Sequence, residues 1–347
     1  MNSRRIEVRT RGRTVQSGLI AEIAAAISSA PPGDVVEFIG TDPSDAPEME
    51  RWSRVTGHAI VGRRGVAGDG ETIRIRKTSG TVAPLAVPTP ASTERRLWLY
   101  FNFDCNLSCD YCCVRSSPRA ARRALDLDTV SVLAREAQAL TFDRVYVTGG
   151  EPFLLPDIGA KVAACAEHLP TTVLTNAMLF EGPRRAALES LPRDRVTFQV
   201  SIDSPTAERH DAHRGMGSWK KARNGVRIAR DLGFRVRVAA TVHDAEERES
   251  MVRFLADEGV PEEDRVIRPV ALRGAADIGV AFARAELEPE PTVTAGGLYW
   301  HPVGADDDDF LVTEKFLPLA QGLQSIERKR AEDREFGASV ASVFNCA

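Results

Sequence analysis

From residue 96 onward, short apolar runs alternate with amphipathic segments. Runs rich in β-branched and aromatic residues predict six strands, at 96–104, 144–152, 171–177, 195–204, 235–242 and 265–270. Helical periodicity lies between them, and one face of the helix predicted over 128–140 carries Val130, Leu133, Ala134, Ala137 and Leu140. Because strands that alternate with helices form parallel sheets, we predict an α/β fold with a partial (β/α)6 TIM barrel over residues 95–275.

Residues 1–78 follow a different order of strand, helix, strand, helix, strand, strand. This order predicts a separate two-layer βαβαββ domain at the N-terminus. The segment 79–94, SGTVAPLAVPTPASTE, is rich in proline, serine and threonine, which predicts a linker. Clean periodicity ends after Arg268, and we expect residues 276–347 to form a short C-terminal extension.

Composition narrows the classes of function. The 347 residues carry a formal net charge of −4, so there is no surplus of basic side chains to neutralise nucleic-acid phosphates or a membrane surface. No apolar run reaches the ~18 residues of a transmembrane helix, and the N-terminal segment MNSRRIEVRTRGR lacks the apolar core of a signal peptide. We therefore expect a cytoplasmic protein that binds neither nucleic acid nor membrane.

Four of the six cysteines fall in the segment CNLSCDYCC, residues 105–113. A reducing cytosol disfavours disulfides, and a structural zinc site needs a second C-x2-C or H-x3-H pair that the sequence lacks. Cys105, Cys109 and Cys112 form C-x3-C-x2-C, and three thiolates on one loop suit an iron–sulfur cluster with one iron open to another ligand. Cys113 is surplus to this spacing, and we expect it to be a small buried apolar side chain.

The cysteine motif follows a predicted strand, where the chemistry of α/β barrels is placed. C-x3-C-x-aromatic-C at that position, with Tyr111 as the aromatic residue, resembles the radical S-adenosylmethionine (SAM) superfamily. The resemblance implies that Cys105, Cys109 and Cys112 hold a [4Fe-4S] cluster whose fourth iron is chelated by the amino and carboxylate groups of SAM. It also implies an external reductant such as flavodoxin or ferredoxin, because the reduced cluster cleaves SAM to methionine and a 5′-deoxyadenosyl radical.

Further motifs of this superfamily follow in order along the chain. GGEP (149–152) resembles its methionine-binding motif, and TNA (175–177) its T-N-G element with alanine in place of glycine. An S-x-D strand end follows, and HDAHRGMGSW (210–219) resembles the H-D-x-x-R-G segment of the SPASM/twitch-type branch, whose arginine we expect to pair with the SAM carboxylate. The resemblance implies SAM binding by Tyr111, Gly149, Gly150, Glu151, Thr175, Asn176, Ser201, Asp203 and Arg214.

The N-terminal module resembles the TusA/SirA-like small sulfur-carrier family in PPGD, TDPSDAPEMERWSRVTGH and the closing IRK. Members of that family carry a persulfide on a cysteine in an R-G-x-x-C-P segment. Here the matching stretch is RGRTVQSG, and no cysteine precedes Cys105. The module therefore cannot carry sulfur by that route, and we expect it to act through non-covalent binding.

The C-terminal extension differs from that of SPASM/twitch relatives, which place cysteines for auxiliary clusters there. Only Cys113, Cys165 and Cys346 are left over, so we expect no fully ligated auxiliary cluster. Cys113 and Cys346 stand as hypothetical hydrogen-atom donors. DDDD (306–309) is predicted to be a solvated loop, and GLYWHPVG (297–304) either to cover the open side of the barrel or to form an ordinary strand pair.

Three functions of different classes follow from these features. The first is an enzyme that abstracts hydrogen from a small molecule of specialised metabolism, such as a sugar, a nucleoside or an amino-acid derivative, with sulfur chemistry as an option. The second is a peptide-modifying maturase, against which the missing auxiliary cysteines count. The third is a non-catalytic cluster protein. Retention of the cysteine triad, GGEP and Arg214 together argues against the third function.

Overall fold

A computed structural model describes most of the chain. The described residues are 5–10, 19–31, 33–42, 49, 52–53, 58–66, 70–77, 94–282, 284 and 287–335. The chain divides into two compact units, one formed by Met1–Ala86 with Ala281–Ala283 and the other by Val87–Val280 with Arg284–Ala347. The predicted linker, apart from Glu94, and Cys346 lie outside the described residues.

The N-terminal unit contains a four-stranded mixed sheet in the order β1-β2-β4-β3. Its strands are β1 (Arg5–Arg9), β2 (Val35–Thr41), β3 (Ala59–Val66) and β4 (Gly70–Arg76), and helix α1 spans Leu19–Ser29. Strands β1 and β2 are parallel, as a crossover through α1 requires, whereas β2–β4 and β3–β4 are antiparallel. Leu19, Ile23 and Ile27 on α1 are fully buried in the core of this unit.

The predicted second helix of the N-terminal unit, residues 44–57, falls largely outside the described residues. Met49, Trp52 and Ser53 are described there as helical, and Met49 is buried in the core of the unit. The observed strands agree with the predicted βαβαββ order. The assignment to the sulfur-carrier family stays a prediction.

The second unit is built on six parallel strands in sequential order. They are β5 (Arg96–Tyr100), β6 (Arg144–Thr148), β7 (Thr171–Thr175), β8 (Val196–Ser201), β9 (Arg235–Val242) and β10 (Arg265–Pro269). The intervening helices are α2 (Leu127–Ala139), α3 (Ile158–His168), α4 (Arg185–Ser190), α5 (Ala207–Arg214), α6 (Ser218–Asp231) and α7 (Ala245–Asp257). All neighbouring pairs from β5 to β10 are parallel, which confirms the predicted α/β fold with a parallel sheet.

The predicted amphipathic helix corresponds to α2. Four of the five residues expected on its inner face, Val130, Leu133, Ala134 and Ala137, are buried. Leu140 is the C-cap residue and is half-buried, because the helix ends one residue earlier than predicted. At the other end Asp126 caps the helix by accepting a hydrogen bond from the Thr129 amide at 2.7 Å.

The C-terminal part of the chain extends the same sheet beyond β5. Strands β11 (Thr292–Thr294), β12 (Gly297–Tyr299) and β13 (Leu311–Thr313) add to its free edge, and helix α8 (Leu319–Glu335) follows. Strand β11 pairs with β5 in parallel and with β12 as an antiparallel hairpin. None of the described helices is long and apolar enough to cross a membrane.

Both alternatives for GLYWHPVG have structural counterparts. Its first three residues form β12, whereas Pro302 and Val303 line the cavity described below. The acidic run 306–309 is not simply solvated. Asp306 accepts a 2.6 Å hydrogen bond from Arg123, and Asp307 accepts one from the half-buried Arg273 and caps the short 3-10 helix Asp308–Phe310.

His301 is a buried histidine at the start of another 3-10 helix, Pro302–Gly304. Its Nδ1 accepts a hydrogen bond from the Val303 amide at 3.2 Å. Burial, aided by the charge of Arg273, lowers its pKa to about 3. The imidazole is therefore neutral and acts as a helix cap.

We predict that His301→Asn reduces the acid sensitivity of folding. In the wild type, the depressed pKa gives a contribution to stability that is full above pH 6.5 and is lost as pH falls toward the folded-state pKa of about 3. Between pH 6.5 and 5 that loss is about 2 kcal/mol for one such group. Asparagine supplies the same cap acceptor without a titrating proton.

The measurement is urea unfolding of both proteins at pH 7.5, 6.5 and 5, followed by tryptophan fluorescence. His168→Asn, at a half-exposed position on α3, is the matched control and should follow the wild type. Equal loss of stability in His301→Asn and wild type would contradict the prediction.

Candidate cluster and cofactor site

The carboxyl ends of the parallel strands surround one cavity of about 180 Å³. This is the edge of a parallel α/β sheet at which ligands bind. The cavity brings together residues from the cysteine loop, GGEP, the ends of β7, β8 and β9, and the segment after β10. Its lining includes Cys105, Cys109, Tyr111, Cys112, Cys113, Gly149, Gly150, Thr175, Asn176, Ser201, Arg214, Thr241, Arg268 and Pro302.

Four cysteines of the loop line this cavity, and the thiols of Cys105, Cys109 and Cys112 have different surroundings. The Sγ atoms of Cys105 and Cys112 accept backbone N–H groups of Leu107 and Ser116, at 3.4 and 3.3 Å. Burial raises the pKa of Cys105 to about 12 and that of Cys109 to about 11, the latter in spite of the nearby Arg214 charge. Cys105 is buried and the other two are half-buried. Thiols in such surroundings are suited to ligate a metal cluster, which stabilises the thiolate form.

Cys113 lines the same cavity but also packs on the apolar cluster of Tyr100, Phe103, Val114 and Ala305. It is half-buried rather than buried. Cys113 therefore packs on apolar side chains, as expected for a small apolar residue. It also lines the cavity, which was not part of that expectation.

GGEP is joined to the cysteine loop by close backbone pairing. The Gly150 amide donates to the Asn102 carbonyl and the Glu151 amide to the Asp104 carbonyl, both at 3.0 Å. A Cβ atom on Gly149 would lie 2.5 Å from the Asn102 carbonyl oxygen, and one on Gly150 would lie 2.1 Å from that of Asp104. Gly149 also has φ +152°, so only glycine fits this position without displacing the neighbouring strand.

The Glu151 carboxylate points into the protein and joins GGEP to the end of β7. It accepts hydrogen bonds from the Phe153 amide at 3.0 Å, the Thr175 hydroxyl at 2.8 Å and the Asn176 amide at 2.8 Å. The side chain is fully buried, and burial raises its pKa in spite of these donors. The Glu151 carboxylate organises two cavity-lining loops, and its place beside SAM stays a prediction.

Asp203, just beyond β8, is the centre of a second polar network. It accepts hydrogen bonds from the Tyr111 hydroxyl and from Arg214, and its Oδ1 also accepts from the Thr241 amide at 2.9 Å. Burial opposes ionisation of Asp203, but the Arg214 guanidinium holds its pKa below the usual value. The network therefore joins the cysteine loop, α5 and β9 around one buried carboxylate.

Arg214 is buried, and its Nε and Nη2 both donate to Asp203. Its guanidinium lies 5.5 Å from the centre of the Tyr111 ring. The expectation of a SAM carboxylate partner for Arg214 stays a prediction, since the observed partner is a protein carboxylate. Arg214 nevertheless lines the cavity, as does Ser201 at the end of β8.

The TNA element forms a tight turn that orients Asn176. The Thr175 hydroxyl accepts from the Ala177 amide at 2.9 Å, and Asn176 Nδ2 donates to Asn106 Oδ1 at 2.8 Å. Ala177 has φ +55°, a left-handed conformation that favours the glycine of the family motif. Gly225 on α6 makes room for this turn, because a Cβ there would lie 2.3 Å from the Ala177 carbonyl oxygen.

Several site residues carry no signal in the sequence. Asn102 donates through Nδ2 to both Asp104 and the Glu151 carbonyl, the latter at 3.0 Å, and it is fully buried. Asn102 supports the loops from behind, whereas Trp98 and Thr241 line the cavity itself. Each lies within or beside an apolar strand, where a single polar or aromatic residue is common. Their position at the site therefore follows only from the register of the neighbouring strands, which the sequence does not show.

Two histidines stack behind the cysteine loop. The rings of His213 and His243 are 4.5 Å apart, and each bonds a carboxylate: His213 to Asp110 at 2.8 Å and His243 to Glu247 at 3.2 Å. His210, in contrast, is buried and accepts from the Asp203 amide at 3.2 Å, and burial lowers its pKa to about 4. These contacts give the histidines structural roles beside the site.

The donor set fits a four-iron cluster better than a single ion. Among the described residues, no three His, Cys, Asp or Glu side chains converge as ligands of one metal ion. Three thiols nevertheless line one cavity, and a cluster several ångströms wide joins thiolates that do not meet at a point. Cys105, Cys109 and Cys112 would hold the cluster, with GGEP and Asn176 lining the adjoining space.

The model of the Radical SAM superfamily matches residues 99–258, which cover strands β6 to β9 completely, the last two residues of β5 and the cysteine motif. These residues form a radical SAM superfamily domain. Proteins with this domain are enzymes. The family uses a [4Fe-4S] cluster and SAM, so the class and cofactors predicted from the sequence are confirmed.

Individual relatives are similar to parts of the chain. AlbA, the antilisterial bacteriocin subtilosin biosynthesis protein of Bacillus subtilis, is 32% identical over 171 residues, which are 46% of this chain and 36% of AlbA. A GTP 3′,8-cyclase of Edwardsiella ictaluri is 32% identical over 38% of this chain and 40% of its own length. The mycofactocin maturase MftC of Mycolicibacterium smegmatis is 28% identical over 48% of this chain and 43% of its own length. The chain thus matches less than half the length of each of these curated relatives.

Among solved structures, one to which this chain is similar is Streptococcus suis SuiB bound to the precursor peptide SuiA. It has a TM-score of 0.47 and 20% identity, and the match covers 55% of this chain and 43% of SuiB.

We predict that anaerobic reconstitution gives about four irons and four sulfides per chain. Cys105→Ala, Cys109→Ala and Cys112→Ala should each lose the cluster, because each removes one of the three thiolates of the C-x3-C-x2-C motif. Cys113→Ala is the matched control and should keep it. Iron and sulfide analysis with the visible absorption band measures the outcome, and seven or eight irons per wild-type chain would contradict the assignment of a single cluster.

Proposed function

We propose that this protein is a radical SAM enzyme that abstracts hydrogen from a small-molecule substrate. The observation that carries the proposal is the single cavity shared by the three cysteines, GGEP, Thr175–Asn176, Ser201 and Arg214. When bound and reduced, the cluster supplies the electron that cleaves SAM to methionine and a 5′-deoxyadenosyl radical, which takes a hydrogen atom from the substrate.

The residues of the chain would bind and orient SAM. Gly149 and Gly150 line the cavity, and their missing Cβ atoms let this backbone lie against the start of the cysteine loop, where it would contact the methionine part of SAM. Asn176 is fixed by its bond to Asn106 and lines the cavity with an amide. Pro302 and Val303 form part of the wall and would keep water from the reacting groups.

A small-molecule substrate is favoured by the C-terminal part of the chain. Residues 276–345 contain no cysteine, so this segment lacks the thiolates of an auxiliary cluster. Strands β11 to β13 extend the sheet in that region. We retain sulfur chemistry as an option, although the N-terminal unit has no cysteine to carry sulfur.

The second candidate is a peptide-modifying maturase. It is favoured by the similarity of parts of this chain to AlbA and MftC, whose names refer to a bacteriocin and to a maturase. GTP 3′,8-cyclase, named for a nucleotide reaction, is similar to the same degree, so relatedness supports both candidates.

The test is the formation of 5′-deoxyadenosine by the anaerobic, dithionite-reduced holoenzyme. Slow formation without substrate is expected, and the true substrate should accelerate it. A peptide encoded beside this gene that accelerates cleavage would establish the second candidate, and a nucleoside, sugar or amino-acid derivative would establish the first. No 5′-deoxyadenosine from a protein with a full complement of iron would contradict both.

We predict that Arg214→Ala weakens SAM binding by about 1.5–3 kcal/mol, as expected for the loss of a charged hydrogen bond. Arg214→Lys should recover part of the affinity, because it keeps the charge but not the fork-shaped donor. Arg209→Ala, at an exposed position on the same helix, is the matched control. Calorimetric SAM binding to proteins of equal iron content gives the readout, and unchanged affinity in Arg214→Ala would show that Arg214 serves only Asp203.

We also predict that a protein beginning at Ser92 folds, assembles its cluster and cleaves SAM without substrate. The chain divides into two compact units, and the N-terminal unit has its own hydrophobic core, so we expect each unit to fold by itself. Turnover of the true substrate should fall if the N-terminal unit helps to bind it. Iron content and 5′-deoxyadenosine formation are compared with those of the full chain. Full turnover by the shortened protein would exclude a binding role, and loss of the cluster would contradict the independence of the barrel.

A further inference from the structure

Arg268 is a second arginine on the cavity, and no carboxylate of the described residues is paired with it. It lies in β10 next to Pro269, and both residues line the cavity. Its Nη1 is buried and has no hydrogen-bond partner. Within the described part of the chain, no carboxylate lies within 4.0 Å of Arg268, in contrast to Arg214, whose guanidinium is held by Asp203.

The charges on the cavity wall can be counted by residue. Arg214 and Arg268 are the charged side chains among the described residues that line it. Asp203 neutralises Arg214 through two hydrogen bonds. One positive charge is therefore left, and a partly desolvated guanidinium without an acceptor is unfavourable until an anion binds it.

Cluster and SAM would leave the guanidinium donors of Arg268 without an assigned acceptor. The SAM carboxylate and amino group are committed to the open iron in this family. An amino group that binds iron is neutral, so bound SAM carries no net charge, and three thiolates around an oxidised [4Fe-4S] core carry about −1. That charge is spread over the cluster and its three cysteines, so the N–H groups of Arg268 would remain for the other occupant of the cavity, the substrate.

The neighbour of Arg268 adds a second donor. Thr241 is its register partner on β9, so the two side chains leave the sheet on the same side, and Thr241 also lines the cavity. A guanidinium fork beside a hydroxyl suits an oxyanion better than a neutral hydroxyl or amide.

We propose that Arg268 binds an oxyanion of the substrate, a carboxylate or a phosphate group, and thereby orients the substrate in the cavity. This inference rests on the proposed function and assigns a class to its substrate: a small molecule that carries a carboxylate or phosphate. Arg268 is a substrate-binding residue in this proposal, distinct from the residues that hold the cluster.

The test measures binding of inorganic phosphate and of acetate, in separate titrations, to the anaerobic holoenzyme saturated with SAM at constant ionic strength. Calorimetry should show that the wild type binds at least one of the two anions at one site per chain. Tighter binding of phosphate would indicate a phosphorylated substrate, and tighter binding of acetate would indicate a carboxylic acid. Arg268→Gln should bind the more tightly bound anion at least tenfold more weakly than the wild type, and Arg268→Lys should lie between the two. Iron content and SAM affinity should be unchanged in both variants.

Arg265→Gln is the matched control. Arg265 lies on the same strand, but its guanidinium donates to the Val260 carbonyl at 2.8 Å and it is not among the residues that line the cavity. This variant should bind the anion like the wild type.

Three results would overturn the proposal: no anion binding by the wild type, equal anion binding by Arg268→Gln, or a loss of SAM affinity in Arg268→Gln with anion binding retained. The last result would mean that Arg268 holds the SAM carboxylate. Failure of the proposed function is read separately, as an absence of 5′-deoxyadenosine from the wild-type holoenzyme, and it leaves the anion titration interpretable.

Discussion

The pairing of the GGEP backbone with the end of β5 is the contact on which the site depends. Two amide-to-carbonyl bonds of 3.0 Å continue the β5–β6 pairing past the strands and hold the cysteine loop against GGEP. They require backbone separations that leave no room for a Cβ at Gly149 or Gly150. Because the cysteines begin directly after this pairing, their position relative to GGEP is set by the register of two parallel strands.

Two buried carboxylates extend this constraint around the barrel. Glu151 ties GGEP to the turn after β7, and Asp203 ties the cysteine loop to α5 and β9. Each accepts three or more hydrogen bonds, which a buried carboxylate needs to offset its desolvation. Both carboxylates hold loops together from behind the cavity wall. This role explains why these two acidic residues lie at strand ends beside the cavity but do not line it.

The sequence was sufficient to predict strands and motifs, which depend on neighbouring residues. It was insufficient to predict contacts between side chains that are far apart along the chain. Strand periodicity placed β9 at its observed residues, and cysteine spacing together with motif order identified the superfamily. The partners of Glu151 and Arg214 were not foreseen, because each motif suggested a ligand contact whereas tertiary packing supplied a nearer protein partner. Strands β11 to β13 were not assigned as barrel-sheet strands either: at three residues each they are too short for a period to be read.

The two arginines that line the cavity differ in whether a carboxylate lies next to the guanidinium. Arg214, on α5, faces Asp203 across the β8 end and is held in a buried ion pair that also engages Tyr111. Such a pair fixes geometry, because breaking it would leave a charge unpaired in a desolvated place. Arg268, on the last barrel strand, has no acidic residue at the equivalent distance in the described chain and keeps its binding capacity. Arg214 thus forms part of the wall of the site. Arg268 keeps guanidinium N–H groups that a bound molecule can use as hydrogen-bond donors.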